Sequence, residues 1–127
     1  MNPLFILEGK VQKGKSRGKK LGFPTANISI DQNLPEGIYI SQTKFKDQLY
    51  TSLTFIGTAK TYNENIFQSE TYILDFDKDI YGELVTVYLL KKIRENKRFD
   101  SEDELIKQME KDKKVAYDFF QNLINLI

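Results

Sequence analysis

Apolar and polar residues alternate over the first two-thirds of the chain and recur at helical spacing over the remainder. Leu4 to Val11 is a short apolar run ending in Gly9-Lys10-Val11. Gly37 to Thr43 alternates, with Ile38 and Ile40 opposite Tyr39 and Ser41. Leu49 to Ile56 is rich in Tyr, Thr and Phe and stops at Gly57. Thr71 to Phe76 and Leu84 to Leu90 are β-branched or aromatic runs, separated by a turn at Asp77-Lys78-Asp79 and a bend at Tyr81-Gly82. Short strands punctuated by Gly, Asp and Asn predict a sandwich or small barrel. After Asp100 the period changes. Ser101-Glu102-Asp103-Glu104 has the form of a capping box. Beyond it Leu105, Ile106, Met109, Ala116, Phe119, Phe120, Leu123 and Ile127 form one amphipathic face. An interruption around Asp112 allows for two helices instead of one. The expected organisation is a single domain over 1–127, with the barrel over about 4–93 and the helical part over about 101–126.

Composition restricts the chemistry. The chain has neither cysteine nor histidine. Lack of cysteine removes disulfide and thiol chemistry and suits a cytoplasmic enzyme. Lack of histidine removes Ser-His and Cys-His catalysis and His-bound zinc. A general base must therefore be a carboxylate, Lys or Tyr, and a bound metal a hard cation held by oxygen, Mg²⁺ or Ca²⁺. No run approaches the ~18 apolar residues of a membrane span, and the start does not read as a secretory signal, so no membrane role is expected. The net charge of +1 gives no global field for nucleic acid. Yet Lys10, Lys13, Lys15, Arg17, Lys19 and Lys20 fall together with no acidic residue among them.

That basic stretch runs into Gly14-Lys15-Ser16-Arg17-Gly18-Lys19-Lys20-Leu21-Gly22-Phe23-Pro24-Thr25-Ala26-Asn27. The glycines let a loop turn tightly and bring backbone N–H groups to phosphate. The spacing is not that of a Walker A loop, and on glycine and charge alone a flexible basic surface loop fits better. Pro24 biases Phe23 to an extended shape. In an extended segment Thr25 and Asn27 point to one side, a pair of neutral oxygens suited to Mg²⁺ that draws its anionic ligands from nucleotide phosphates. The alternative is that both satisfy backbone groups in a turn. Glu70 opens an apolar strand, where it serves either as a base toward a substrate hydroxyl or as a charge guarding a sheet edge. Asp75, Asp77 and Asp79 alternate as in a calcium loop but lack its Gly and final Glu, which favours a solvated turn. Lys92 to Asp100 is either a binding loop with Phe99 beside cations or a connector with Phe99 buried.

In order, Leu21-Gly22-Phe23-Pro24-Thr25-Ala26-Asn27, Pro35-Glu36-Gly37-Ile38-Tyr39, Ile56-Gly57, Glu70-Thr71-Tyr72-Ile73-Leu74-Asp75-Phe76, Asp79-Ile80-Tyr81-Gly82, and Ile93-Arg94 through Phe99-Asp100-Ser101 resemble the riboflavin kinase family. The match runs from about Leu7 to about Ala116. The resemblance implies a mainly β fold, a six-stranded antiparallel Greek-key β-barrel with a C-terminal α-helix packed against it. It implies transfer of the γ-phosphoryl group of ATP to the 5′-hydroxyl of riboflavin, giving FMN and ADP, with Mg²⁺. Thr25 and Asn27 then fall at the metal and Glu70 at the catalytic carboxylate. Gly14, Lys19, Lys20, Pro24, Ile73 and Tyr81 fall on the nucleotide side, and Arg94, Phe99 and Leu105 on the flavin side. Phe55 before Ile56-Gly57 and Thr58-Ala59-Lys60-Thr61-Tyr62 after it depart from many relatives. In many bacteria such a module forms the C-terminal half of a chain whose other half adenylylates FMN through a His-rich motif. A chain without histidine is expected to lack that activity, and to be a monomer or the C-terminal module of a larger bifunctional chain. Two rival readings are a flavin- or nucleotide-binding barrel without catalysis and a barrel for single-stranded nucleic acid.

Overall fold

The computed structural model describes residues 2–12, 25–60 and 65–125. The backbone divides into two compact units, Met1–Asn96 and Lys97–Ile127.

The first unit is all β, with β1 (Phe5–Lys10), β2 (Ala26–Ser29), β3 (Gly37–Phe45), β4 (Gln48–Lys60), β5 (Asn65–Ile73) and β6 (Leu84–Arg94). Every pairing is antiparallel, in the order β1-β6-β3-β4-β5-β2. β3, β4 and β5 form a meander and β6 returns to lie beside β3, the Greek-key arrangement. The two ends of this order meet where Gln12 bridges Asn27. There the Gln12 amide donates to the Asn27 carbonyl at 2.8 Å. The sheet is thus a nearly closed barrel. The β3–β6 register shifts between Ile38 and Tyr39 and again between Ile40 and Ser41. Such irregularities bend and twist a sheet toward closure. The β3–β4 hairpin turns at Lys46 and Asp47, both at positive φ, as a two-residue turn matched to strand twist requires.

Alternation decides what fills the interior. Leu7, Ile28, Tyr39, Phe45, Ile56, Ile73, Val85, Val87 and Leu89 belong to one buried core cluster. Among these apolar side chains runs a belt of buried hydroxyls. Thr43 Oγ1, Ser52 Oγ, Ser41 Oγ, Thr54 Oγ1 and Thr71 Oγ1 connect in that order at 2.9, 2.7, 2.8 and 2.9 Å. Ser69 Oγ donates to the Ile28 carbonyl at 3.0 Å. A hydroxyl can both donate and accept, so the three inner members, Ser52, Ser41 and Thr54, meet both needs within the belt, while Thr43 and Thr71 each make one bond in it. Tyr39 is buried too, and its hydroxyl donates to the Pro35 carbonyl at 2.6 Å. Burial raises the phenol pKa above its usual value, with Lys92 opposing and Glu95 adding to the shift.

Three boundaries differ most from the sequence pattern. β4 runs on through Gly57 to Lys60. β5 begins at Asn65 and ends at Ile73, whereas the apolar run suggests Thr71 to Phe76. The chain turns at Leu74 and Asp75, with Asp75 at φ 56, just where the Leu74 amide makes a last bond to β4, to the Thr51 carbonyl at 2.9 Å. β6 continues through Arg94, so Lys92 and Arg94 pair with Tyr39 and Ile38 in the sheet and the connector begins only after them.

The second unit carries one helix, α1 (Glu102–Asn125). It does not split at Asp112. That residue is buried, and within the helix Gln108 Nε2 donates to its Oδ1 at 3.0 Å. The start is capped as the motif predicts, with the Glu104 amide donating to Ser101 Oγ at 3.2 Å. Glu104 Oε2 reaches back to the Asp100 amide, also at 3.2 Å, one residue beyond the usual box partner.

Candidate active site

Strand register brings together two residues 43 positions apart. Asn27 on β2 and Glu70 on β5 are direct Cα partners, and Phe55 on β4 partners Glu70 from the other side. Ser69 and Thr71 are buried in the interior, so Glu70 projects from the outer face, with Asn27 and Phe55 in the same row. Glu70 sits mid-strand between two neighbours. It neither opens a strand nor guards an edge, and the pairing on both sides removes that alternative.

Asn27 is 6% exposed. Its Oδ1 is the buried side-chain atom among the described residues that lacks a hydrogen-bond partner. Leaving such an oxygen unmet costs roughly 1–3 kcal/mol, and an arrangement that retains the cost points to a ligand. An amide carbonyl beside a carboxylate suits a hard cation. Among the described residues no group of three or more Asp and Glu is placed to hold a metal by itself. A cation here would therefore draw further ligands from a bound anion. Thr25, half-buried, lies just before β2 and two positions from Asn27.

The next row across the same face is Ser29, Gln68 and Gly57. Gln68 Nε2 donates to Glu70 Oε1 at 2.9 Å. Ser29 Oγ is engaged with Gln12 Oε1 at 2.9 Å. Gly57 lies in a crowded place: a Cβ there would lie 2.5 Å from Phe55 Cζ and 2.9 Å from Asn96 Nδ2, so both side-chain ends would have to shift. Asn96 in turn donates to the Ile56 carbonyl at 3.2 Å, tying the chain after β6 to β4.

On the other flank, Val11 exchanges backbone bonds with the 80–83 turn. Its amide donates to Glu83 O at 2.9 Å and its carbonyl accepts from the Gly82 amide at 2.8 Å. Tyr81 stands exposed on that turn, and its amide donates to Asp79 Oδ1 at 3.1 Å. Val11 to Gln12 thus lies between Tyr81 and Asn27.

The sequence-based site residues separate accordingly. Asn27 and Glu70 come together. Ile73 ends β5 with its side chain in the core, so it presents no side chain to the outer face. Arg94, half-buried, ends β6 and its Nη1 donates to the Glu95 carbonyl at 3.1 Å. Phe99 and Leu105 belong to the second unit; there Lys97 Nζ lies 5.8 Å from the Phe99 ring centroid, and Leu105 is half-buried in the first turns of α1. Gly14, Lys19, Lys20 and Pro24 lie outside the described residues. Gln68 and Asn96 were not singled out in the sequence. The signal for Gln68 was its period-two relation to Glu70, on the face opposite Ser69 and Thr71. No described helix is long and apolar enough to cross a membrane.

A family model described as riboflavin kinase (flavokinase) matches residues 2–120. The RNA-binding riboflavin kinase RibR of Bacillus subtilis is 41% identical over 111 residues, covering 86% of this chain and 48% of that protein. Among solved structures, a Streptococcus pneumoniae protein titled macrolide-efflux protein aligns with a TM-score of 0.81 at 36% identity, over 91% of this chain and 38% of that one. The riboflavin kinase of Trypanosoma brucei aligns with a TM-score of 0.66 at 27% identity, over 95% and 82%. The chain spans between 18% and 48% of the length of the first curated relatives it matches, among them bifunctional riboflavin kinase/FMN adenylyltransferases.

Proposed function

This chain belongs to the riboflavin kinase family, and from that premise we propose that it transfers the γ-phosphoryl group of ATP to the 5′-hydroxyl of riboflavin, giving FMN and ADP. The observation that carries the reading is the Asn27–Glu70 pairing, with a buried, unpartnered Asn27 Oδ1 beside the carboxylate. Glu70, held by strands on both sides, accepts the proton of the ribityl hydroxyl as its oxygen bonds to the γ-phosphorus. The bond between that phosphorus and the β–γ bridging oxygen breaks, and the electron pair leaves with ADP. Thr25 and Asn27 offer neutral oxygens to Mg²⁺, which when bound neutralises charge on the phosphates.

Positioning supplies much of the acceleration in such transfers, which a rigid sheet favours. Gly14, Lys19, Lys20, Pro24, Ile73 and Tyr81 are proposed on the nucleotide side, with Tyr81 beside the Val11–Gln12 segment. Arg94, Phe99 and Leu105 are proposed on the flavin side. The proposed setting is the cytoplasm, with the chain acting as a monomer or as the kinase module of a longer bifunctional protein. The test is incubation of the purified chain with riboflavin, ATP and Mg²⁺ and chromatography for FMN, with CTP and metal-free controls. Failure to form FMN with folded protein overturns the reading.

A further inference from the structure

We propose that Gln68 is a positioning residue for Glu70, fixing the rotamer in which that carboxylate meets the substrate hydroxyl. The inference rests on the reading of Glu70 as the base. Gln68 and Glu70 are two positions apart on β5, on one face of the pleat. Gln68 Nε2 donates to Glu70 Oε1 at 2.9 Å in a half-buried setting. An ionised carboxylate only accepts, so the amide nitrogen must be the group turned toward it.

The neighbours of Gln68 leave it this partner. Across β2 stands Ser29, whose hydroxyl donates to Gln12 Oε1 at 2.9 Å. Across β4 stands Gly57, which brings no side chain, and the space a Cβ would fill is crowded by Phe55 and Asn96. A glutamate side chain has three rotatable bonds and loses turnover whenever it leaves its working rotamer. A charge-assisted hydrogen bond from a residue on the same rigid strand suppresses that loss. Because the contact is made within one strand, it is present before substrate arrives.

The test is a mutant cycle read by steady-state and single-turnover kinetics, with thermal melts as the folding control. Gln68→Met keeps the length and removes the donor. It is expected to lower kcat by roughly 10-fold to 100-fold, with KM for ATP and riboflavin and the melting temperature unchanged. Gln68→Lys restores a donor at similar reach and is expected to recover most of kcat. In a Glu70→Ala background, Gln68→Met is expected to change nothing further. Wild-type kcat in Gln68→Met, no recovery in a folded Gln68→Lys, or the same loss in both backgrounds, overturns the inference. Unchanged turnover in Glu70→Ala alone instead overturns the reading of Glu70, a separate outcome of the same cycle.

Discussion

Asn27 and Glu70 are Cα partners across the β2–β5 ladder, a buried amide oxygen without a hydrogen bond set beside a carboxylate. Activity and stability should respond to the two residues differently. Glu70→Ala should lower kcat by about 10²–10⁴-fold while riboflavin binding, followed by flavin fluorescence, survives. Asn27→Ala removes an unsatisfied buried oxygen, so in metal-free buffer its unfolding free energy should match or exceed wild type by up to about 1 kcal/mol. The same variant, and Thr25→Ala, should need more Mg²⁺ for half-maximal FMN formation. A normal Mg²⁺ titration in both would count against them as ligands.

The hydroxyl belt predicts a graded stability series. Ser41 bonds to both Ser52 and Thr54 in the middle of the chain, whereas Thr43 is at one end. Ser41→Ala should cost about 2–3 kcal/mol in urea unfolding, since two neighbours lose a partner, and Thr43→Val about 1 kcal/mol. Equal losses would mean that the belt does not act as a connected chain.

Gly57→Ala tests the crowding between β4 and the chain after β6. The added methyl meets the Phe55 ring and the Asn96 amide, and overpacking of this kind costs about 1–3 kcal/mol. Asn96→Ala should relieve part of that loss, so the double variant should be less destabilised than the sum of the two single ones.

Tyr39 supplies a pH signature. Its folded pKa is raised above the ordinary 10.0, chiefly by burial. The unfolded phenol therefore ionises first, and the stability from Tyr39 is full below about pH 10 and is lost as pH rises through the folded value. Tyr39→Phe should show a shallower fall in unfolding free energy above pH 10 than wild type, measured by urea titration. Parallel slopes in the two proteins would refute this.

How much of this was legible beforehand depended on the range of the cause. The strands of β1, β3, β4 and β6 were readable because alternation is local, and the Ser101 cap because it lies within one helical turn. The end of β5 was misread. Leu74 and Phe76 continue an apolar run, but the chain leaves the sheet at Leu74 and Asp75, with Asp75 at φ 56. Likewise, the apparent break at Asp112 overlooked that Gln108, one turn earlier, satisfies the buried carboxylate inside the helix. Motif resemblance points to Asn27 and Glu70 one at a time. Their contact is set by β2–β5 register, which no local pattern encodes. The hydroxyl belt was hidden for the same reason: Thr and Ser read as ordinary strand residues until five of them meet across three strands.

The bridge at Gln12 has one more consequence. Around the ring of strands, ladders of four to nine Cα pairs stitch each strand to the next, but across the β1–β2 junction the hydrogen bonds among the described residues are those of Gln12, through its amide to Asn27 and its side chain to Ser29. The barrel is a clasped bracelet, and the clasp is fitted to the residue proposed to hold the metal. Loosening it would leave every ladder intact, and the backbone carbonyl it releases is that of Asn27.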